Sequence, residues 1–357
     1  METTISLKEA EELIAQVGKD LTVHLRGQPG IGKSTLLTTL AKRFPDYEPV
    51  YIDCADLDLG DLAMPAMNHE SKTTAFYPNE RFAIHKGRPV LVMLDEITKA
   101  SEPVKNMLLP VMLERRLGAV EFHPDSIVFS TGNLTTDAVG DNIKAHAKNR
   151  ISQVTVRNPN DTEWCAWGGD NDIAPEILAW VNQFPHCLAS YTDKSQAENF
   201  YIYNPAKQQD AFVSPRSLAK ASFIVKTRHE LGDNATMVAL AGTIGEAAAR
   251  DMSAYFSLAD ALPTREAIYN TPEKAKLPDD PAARVILIMR ELQAYNKKTF
   301  QAVTQYLERL PKELQALFFT SIMNSQHQYE ISKLKSFTNW VNKNHQFLWR
   351  TSDGEAN

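Results

Sequence analysis

Apolar and polar positions alternate in two textures along this chain. In the first 160 residues, short apolar runs recur between polar turns. Leu21-Thr22-Val23-His24-Leu25, Pro49-Val50-Tyr51-Ile52-Asp53 and Ile151-Ser152-Gln153-Val154-Thr155-Val156 each predict a strand. Pro89-Val90-Leu91-Val92-Met93-Leu94 is a continuous apolar run, and Asp125–Asn133 carries another in Ile127-Val128-Phe129, as expected of buried strands in a parallel sheet. Helical periods separate them. Ser6-Leu7-Lys8-Glu9 has the form of a capping box before a helix to about Val17, Thr35–Arg43 reads as a second helix, and Ser101–Arg116 as a third with Leu108, Leu109, Met112 and Leu113 on its apolar face. Asp141–Lys148 predicts a short helix running into Asn149-Arg150.

From Asn160 the texture is helical. Asn160-Asp161-Thr162-Glu163 is a capping signal, and Ala174–Phe184 carries Ile177, Leu178, Trp180 and Val181. A polar insertion with Tyr191, Phe200, Tyr201 and Tyr203 follows. Ser214-Pro215-Arg216-Ser217-Leu218 opens a helix with Ser214 as cap and Pro215 in its first position. Helices are then expected over roughly Ala235–Arg250, Asp280–Tyr295, Thr299–Leu310, Lys312–Ser325 and Ile331–Asn344, with Ser352–Asn357 as a frayed tail. Leu277-Pro278-Asp279-Asp280-Pro281 is a natural break. The resulting expectation is an α/β fold, with five strands and their helices over residues 1–158 and helical regions over 159–260 and 261–357.

The segment from Cys54 to about Phe82 fits neither texture. Met64, Met67, Phe76 and Tyr77 are read there either as a satellite core or as exposed apolar residues that grip a partner or line a pore.

Candidate chemistry concentrates at the strand ends. Gly27-Gln28-Pro29-Gly30-Ile31-Gly32-Lys33-Ser34 lies between a strand and the helix that starts at Thr35, which is the P-loop (Walker A) context. Glycines let backbone N–H groups approach phosphate oxygens, and the helix N-terminus favours negative charge. Lys33 would reach the β- and γ-phosphates of ATP, and the Ser34 hydroxyl would ligate Mg²⁺. Asp95-Glu96 ends the apolar run 89–94 in the manner of a Walker B strand. Asp95 would hold Mg²⁺ through water, and Glu96 would polarise the attacking water as general base. Asn133, after Ser130-Thr131-Gly132, would stand beside both acids if the two strands are neighbours. Arg150 reads as a solvated cation or as a finger donated to a neighbouring subunit, and Arg115-Arg116 as helix-terminal cations or as groups near a neighbour's nucleotide. Arg216 sits in a first helical turn, where the dipole disfavours a cation, and that local conflict points to a role.

Composition narrows the classes. At 357 residues, 43% hydrophobic and 23% charged, the chain has the make-up of a soluble globular protein of two or three domains. A net charge of −6 argues against a broad nucleic-acid surface. No run of about 18 apolar residues predicts a membrane span, and no apolar signal core follows the N-terminus. Three dispersed cysteines, Cys54, Cys165 and Cys187, fit a reducing, cytoplasmic setting and neither a disulfide frame nor a zinc site.

With these motifs in view, the chain over about residues 20–225 resembles the MoxR-type AAA+ ATPases. Asp95-Glu96-Ile97-Thr98-Lys99-Ala100, Val104-Lys105-Asn106-Met107-Leu108-Leu109 and Leu113-Glu114-Arg115 are similar to that family's Walker B continuation, with Thr98 departing from a common Asn. The resemblance implies Asn133 as sensor 1, Arg150 as arginine finger and Arg216 as a sensor 2 contact to the γ-phosphate. It also implies an αβα sandwich on a five-stranded parallel sheet over residues 1–158, a helical lid over 159–260, a pore-facing insertion between the Walker motifs and assembly into a homo-oligomeric ring, usually a hexamer. It further implies chaperone-like remodelling of a protein client, with a von Willebrand factor A-domain or metallopeptidase-like protein as partner. A nucleic-acid motor or loader of the same superfamily, and a P-loop phosphotransferase outside any ring, are the rival readings.

Overall fold

The structure is a computed structural model and describes residues 3–134, 149–205, 207, 209–323 and 328–348. The expected helix Asp141–Lys148, the end of the helix expected to reach Ser325 and the tail Ser352–Asn357 lie outside the described residues. Two compact units divide at Pro159/Asn160.

In the first unit, β1 (Thr4–Ile5), β2 (Val23–Arg26), β3 (Glu48–Asp53), β6 (Val90–Asp95), β9 (Ile127–Gly132) and β10 (Ser152–Val156) form one sheet in the order β1-β10-β2-β9-β6-β3. Every pairing in it is parallel. Five of these strands are those expected. The sixth, β1, pairs only Thr4 with Thr155 and Ile5 with Val156, too short a run to leave an alternation pattern in the sequence.

Alternation along β6 explains the layers. Val90, Val92 and Leu94 pack in one apolar cluster with Val50, Ile52, Val128 and the inner face of α3 (Glu102–Glu114). Leu91 and Met93 pack in the other with Val23, Leu25, Phe129, α1 (Leu7–Val17) and α2 (Thr35–Arg43). A strand with apolar residues on both faces needs cover on both, and the helices on either side supply it. The capping box before α1 is present: Glu9 N–H donates to Ser6 Oγ, and Ser6 N–H donates to the Glu9 carboxylate at 2.7 Å.

The segment that fitted neither texture contains an antiparallel hairpin, β4 (Ala63–Asn68) against β5 (Thr73–Pro78), with Met64 opposite Tyr77 and Pro65 opposite Phe76. A second short hairpin, β7 (Arg116–Leu117) with β8 (Val120–Glu121), follows α3. Its Ala119 N–H donates to Phe76 O at 2.8 Å, so the second hairpin holds the first. Gly118 makes that approach possible: its φ is +59°, and a Cβ there would lie 2.2 Å from Phe76 O.

The second unit is helical. Asn160 caps Asp161–Asp170 in a full capping box, and Ser214 caps Pro215–Lys226 in the same way. The helix expected over Ala235–Arg250 is two helices, Asp233–Ile244 and Glu246–Asp260, because Gly245 at φ +88° leaves helical geometry. Arg265–Asn270 is a further short helix. The last expected helix begins later, as Lys335–Leu348, behind a short turn of helix at Gln328–Ile331. Helix Pro281–Ala294 contributes Ile286 and Met289 to one apolar core and Leu287 and Ile288 to another. The two cores thus share one helix.

Candidate active site

Parallel pairing brings the C-terminal ends of β2, β9, β6 and β3 to one edge, where open α/β sheets bind ligands. The Gly27–Ser34 loop leaves β2 at this edge, with Gly30 at φ +80° and Gly32 at φ +110°. Ile31 is buried and anchors the loop in the apolar cluster under α1 and α2. Gln28 Oε1 accepts a hydrogen bond from Asn158 Nδ2 at 3.2 Å, and Thr35 Oγ1 donates to Gly32 O at 2.6 Å. Lys33 is buried and its Nζ donates to Gly27 O at 2.8 Å and Gln28 O at 2.9 Å. The ammonium therefore lies over the loop's own carbonyls.

The β6 tip stands beside this loop's strand with β9 between them. Asp95 is buried, and three hydroxyls close on its carboxylate. Ser34 Oγ donates to Oδ2 at 3.1 Å, Tyr51 Oη donates to the same oxygen at 2.8 Å, and Thr131 Oγ1 donates to Oδ1. Thr131 Oγ1 also accepts from Glu96 N–H at 3.0 Å. That bond fixes a strained backbone, because Glu96 has φ +52°, in the left-handed region that costs a non-glycine residue about 1–2 kcal/mol. Strain of this kind, held by surrounding structure, clusters at functional sites. The Glu96 carboxylate is paired with Lys99 Nζ one turn on.

Neighbouring acids act on the groups around them. Burial first, then the bond to Asp95, then the charges of Asp95, Asp53 and Glu96 hold the Tyr51 phenol well above the usual tyrosine range, so it is a neutral donor. Burial, with Asp95 and Asp53, pushes the Cys54 thiol up as well, which keeps it protonated and inert.

A divalent cation would fit between Ser34 and Asp95. Their oxygens are 3.1 Å apart, so a cation bound by the Ser34 hydroxyl would have the Asp95 carboxylate within reach, directly or through a bound water.

The expected site residues divide by unit. Gly27–Thr35, Asp95, Glu96 and Asn133 come together, with Asn133 one residue past β9 and half-buried. Arg150 is exposed in the turn before β10, at the opposite end of that strand from the P-loop edge. Arg216 is exposed in the first turn of Pro215–Lys226, within the second unit. Arg115 is corrected: it points inward and donates to Thr22 Oγ1 at 2.8 Å, Gly18 O at 2.9 Å and Met112 O. Burial depresses its pKa to about 10, and it serves as a clamp between α3, α1 and β2. Met64, Met67, Phe76 and Tyr77 are not satellite core, being 59%, 73%, 47% and 55% exposed. Sequence reasoning missed Tyr51 and Thr131. Tyr51 reaches Asp95 only because β3 lies beside β6, and Thr131 because β9 does, so neither role shows before strand order is known.

The sheet order, the loop after β2 and the acid pair two strands away define an AAA+ P-loop fold, and by class the chain is an ATPase. Residues 22–128 match the AAA domain of the dynein-related subfamily. No curated protein matches the chain. Among solved structures, NtrX of Brucella abortus in complex with ADP is similar at 13% identity and a TM-score of 0.37, covering 98% of this chain and 68% of that one. A RuvB mutant of Thermotoga maritima is similar at 12% identity and a TM-score of 0.35, covering 70% of each. Likenesses this distant say nothing about substrate or partner.

Proposed function

We propose that the chain is a Mg²⁺-dependent ATP hydrolase of the MoxR type that works as a homo-oligomeric ring and remodels a protein client. The β4–β5 hairpin carries the choice of client. It presents Met64 and Tyr77 on one face and Met67 and Phe76 on the other, all exposed. Apolar projections suit an unfolded or loosely held protein segment, whereas a phosphate backbone calls for clustered Lys and Arg.

In the hydrolytic step, P-loop amides and Lys33 would take the phosphates, which requires Lys33 Nζ to leave Gly27 O and Gln28 O. Ser34 and Asp95 would hold Mg²⁺, which neutralises phosphate charge. Glu96 would accept the proton of the attacking water, once drawn away from Lys99, and Asn133 would orient that water or the γ-phosphate. We assign Arg216 to the γ-phosphate and Arg150 to a neighbouring subunit's nucleotide. Such a trans arginine is typically worth about 10³–10⁵ in rate, so isolated subunits would hydrolyse slowly.

The test is a trap. Glu96→Gln should bind ATP, scarcely hydrolyse it and retain the client in pull-downs, while Lys33→Ala should abolish turnover. Full turnover by Glu96→Gln would remove Glu96 from the mechanism. Partial rescue of Arg150→Ala subunits on mixing with Lys33→Ala subunits supports a trans finger, and no rescue at any ratio rejects it. Strong, salt-sensitive stimulation by DNA or RNA, with no stimulation by protein, would instead favour the nucleic-acid motor.

A further inference from the structure

Tyr51 is out of place as a packing residue. It lies on β3 between Val50 and Ile52, both buried in the apolar cluster against α3. Tyr51 faces the other way and is 51% exposed, so its ring is not held by a core. What its hydroxyl reaches is the buried carboxylate of Asp95, at 2.8 Å. The register of the sheet accounts for that reach. Tyr51 pairs with Met93 and Asp53 with Asp95, which makes Asp95 the diagonal neighbour of Tyr51 on the same face. Diagonal neighbours in a sheet are about 7–8 Å apart, a span that a tyrosine side chain covers.

The oxygen that Tyr51 holds is also the one that Ser34 contacts. If Ser34 Oγ turns to a cation, Asp95 Oδ2 loses one donor and keeps the other. Thr131 meanwhile fixes Oδ1. Tyr51 and Thr131 together then define the plane of the carboxylate, with one oxygen pinned from each side. Outer groups of this sort, touching a ligand rather than the ion, commonly change metal affinity or activity by about 10- to 100-fold when removed.

We propose that Tyr51 is a positioning residue of the divalent-cation site, orienting Asp95 Oδ2 toward the ion that accompanies the nucleotide. The inference rests on the reading of Ser34 and Asp95 as the Mg²⁺ site. It assigns to the exposed face of β3 a role in cation affinity that neither the P-loop nor the acid pair reveals.

The experiment uses the full chain and Tyr51→Phe, which removes the hydroxyl and leaves the ring. Manganese binding to the protein–ADP complex is titrated by electron paramagnetic resonance. ADP binding in excess EDTA is measured separately, and the Mg²⁺ concentration for half-maximal ATP turnover is determined. The expected result is about a tenfold or greater loss of Mn²⁺ affinity and a parallel rise in half-saturating Mg²⁺. Metal-free ADP affinity should stay within about twofold. Mn²⁺ affinity unchanged within twofold overturns the proposal, as does an equal fall in metal-free ADP affinity, which marks a general loss of site structure. Wild-type protein that binds ADP without any Mn²⁺ site abolished by Asp95→Asn would overturn the metal-site reading itself, and the role of Tyr51 with it.

Discussion

Thr131→Val is the sharpest probe of how the acid pair is built. Valine keeps the volume of threonine and removes one oxygen. That oxygen accepts the Glu96 N–H at 3.0 Å and donates to Asp95 Oδ1, and Thr131 is fully buried. Asp95 Oδ1 is left without its hydroxyl donor, and a buried acceptor in that state costs about 1–3 kcal/mol, more when charged. The freed Glu96 N–H adds about 1 kcal/mol, because it also gives up the contact that stabilises a left-handed residue. Together the loss is about 3 kcal/mol. For a unit the size of residues 1–159, where 1 kcal/mol moves Tm by about 2–4 °C, the midpoint should fall by roughly 6–12 °C. Thr131→Ser keeps the hydroxyl and loses one buried methyl, worth about 1 kcal/mol. If a third to a half of the Val effect is felt at the Glu96 carboxylate, turnover falls about tenfold in Thr131→Val and little in Thr131→Ser. Thermal unfolding followed by circular dichroism, with steady-state ATP turnover on the same samples, reads both. A serine variant as unstable as the valine variant would refute the reasoning, since it would make Thr131 a packing residue and its oxygen incidental.

Lys99→Ala should raise basal turnover, by no more than about fivefold, because an exposed pair such as Lys99–Glu96 is worth about 1 kcal/mol or less; a rate that falls would assign Lys99 to substrate instead. Gly118→Ala forces a Cβ against Phe76 O and a non-glycine residue into φ +59°, so hydrogen exchange at the Ala119 amide and across β4–β5 should quicken. Client retention by the Glu96→Gln trap should then drop while ATP binding persists. Tyr255, Tyr269 and Tyr306 of the helical unit are each pushed up to about 12, chiefly by burial. Between the ordinary tyrosine value near 10 and about 12 the folded unit binds more protons than the unfolded chain, so stability is intact below pH 10 and is lost as pH rises through 12. The last part of the tyrosinate absorbance should therefore appear together with loss of helical circular dichroism in an alkaline titration, and complete tyrosinate formation near pH 10 with the helices intact would contradict the burial.

The parts of the fold that the sequence makes legible are those governed by local rules. Val90–Leu94 announces a strand covered on both sides because every residue in it is apolar. Ser6, Asn160 and Ser214 announce helix starts because a hydroxyl or amide three residues ahead of a matching partner satisfies orphan amides on its own. Gly27–Ser34 and Asp95-Glu96 are legible as strand-end motifs for the same reason, since each is written in adjacent residues. The illegible parts depend on residues far apart in sequence. The β4–β5 hairpin has apolar side chains on both faces, so it lacks the one-sided alternation by which a hairpin is usually read, and its hold comes from Gly118 some forty positions on. Arg115 looks like any helix-terminal cation until Gly18 and Thr22 are seen to receive it. Tyr51 and Thr131 carry no motif, because their roles follow from strand order and register alone.

If Asp95 holds the cation as proposed, the hydroxyls around it answer a problem that such a site must solve. A buried carboxylate without a partner is costly, and a permanent Lys or Arg partner would compete with the ion. Neutral donors avoid both difficulties. Each hydroxyl satisfies a lone pair of the carboxylate, yet none carries a charge that the arriving ion must overcome. Ser34 can also turn its own oxygen to the metal and become a ligand. Tyr51 and Thr131 cannot leave so easily, being fixed by β3 and β9. The site is thus organised as one exchangeable hydroxyl between two fixed ones. On that arrangement, Ser34→Ala should lower cation affinity by removing a ligand while leaving the orientation of Asp95 intact, whereas Tyr51→Phe should lower it with every ligand still in place. Combining the two substitutions should cost less than the sum of their separate effects if both act through Asp95 Oδ2, because groups sharing one partner are not additive. A strictly additive double variant would mean that Ser34 and Tyr51 act on the ion independently, and the shared carboxylate oxygen would then not be the point at which the two meet.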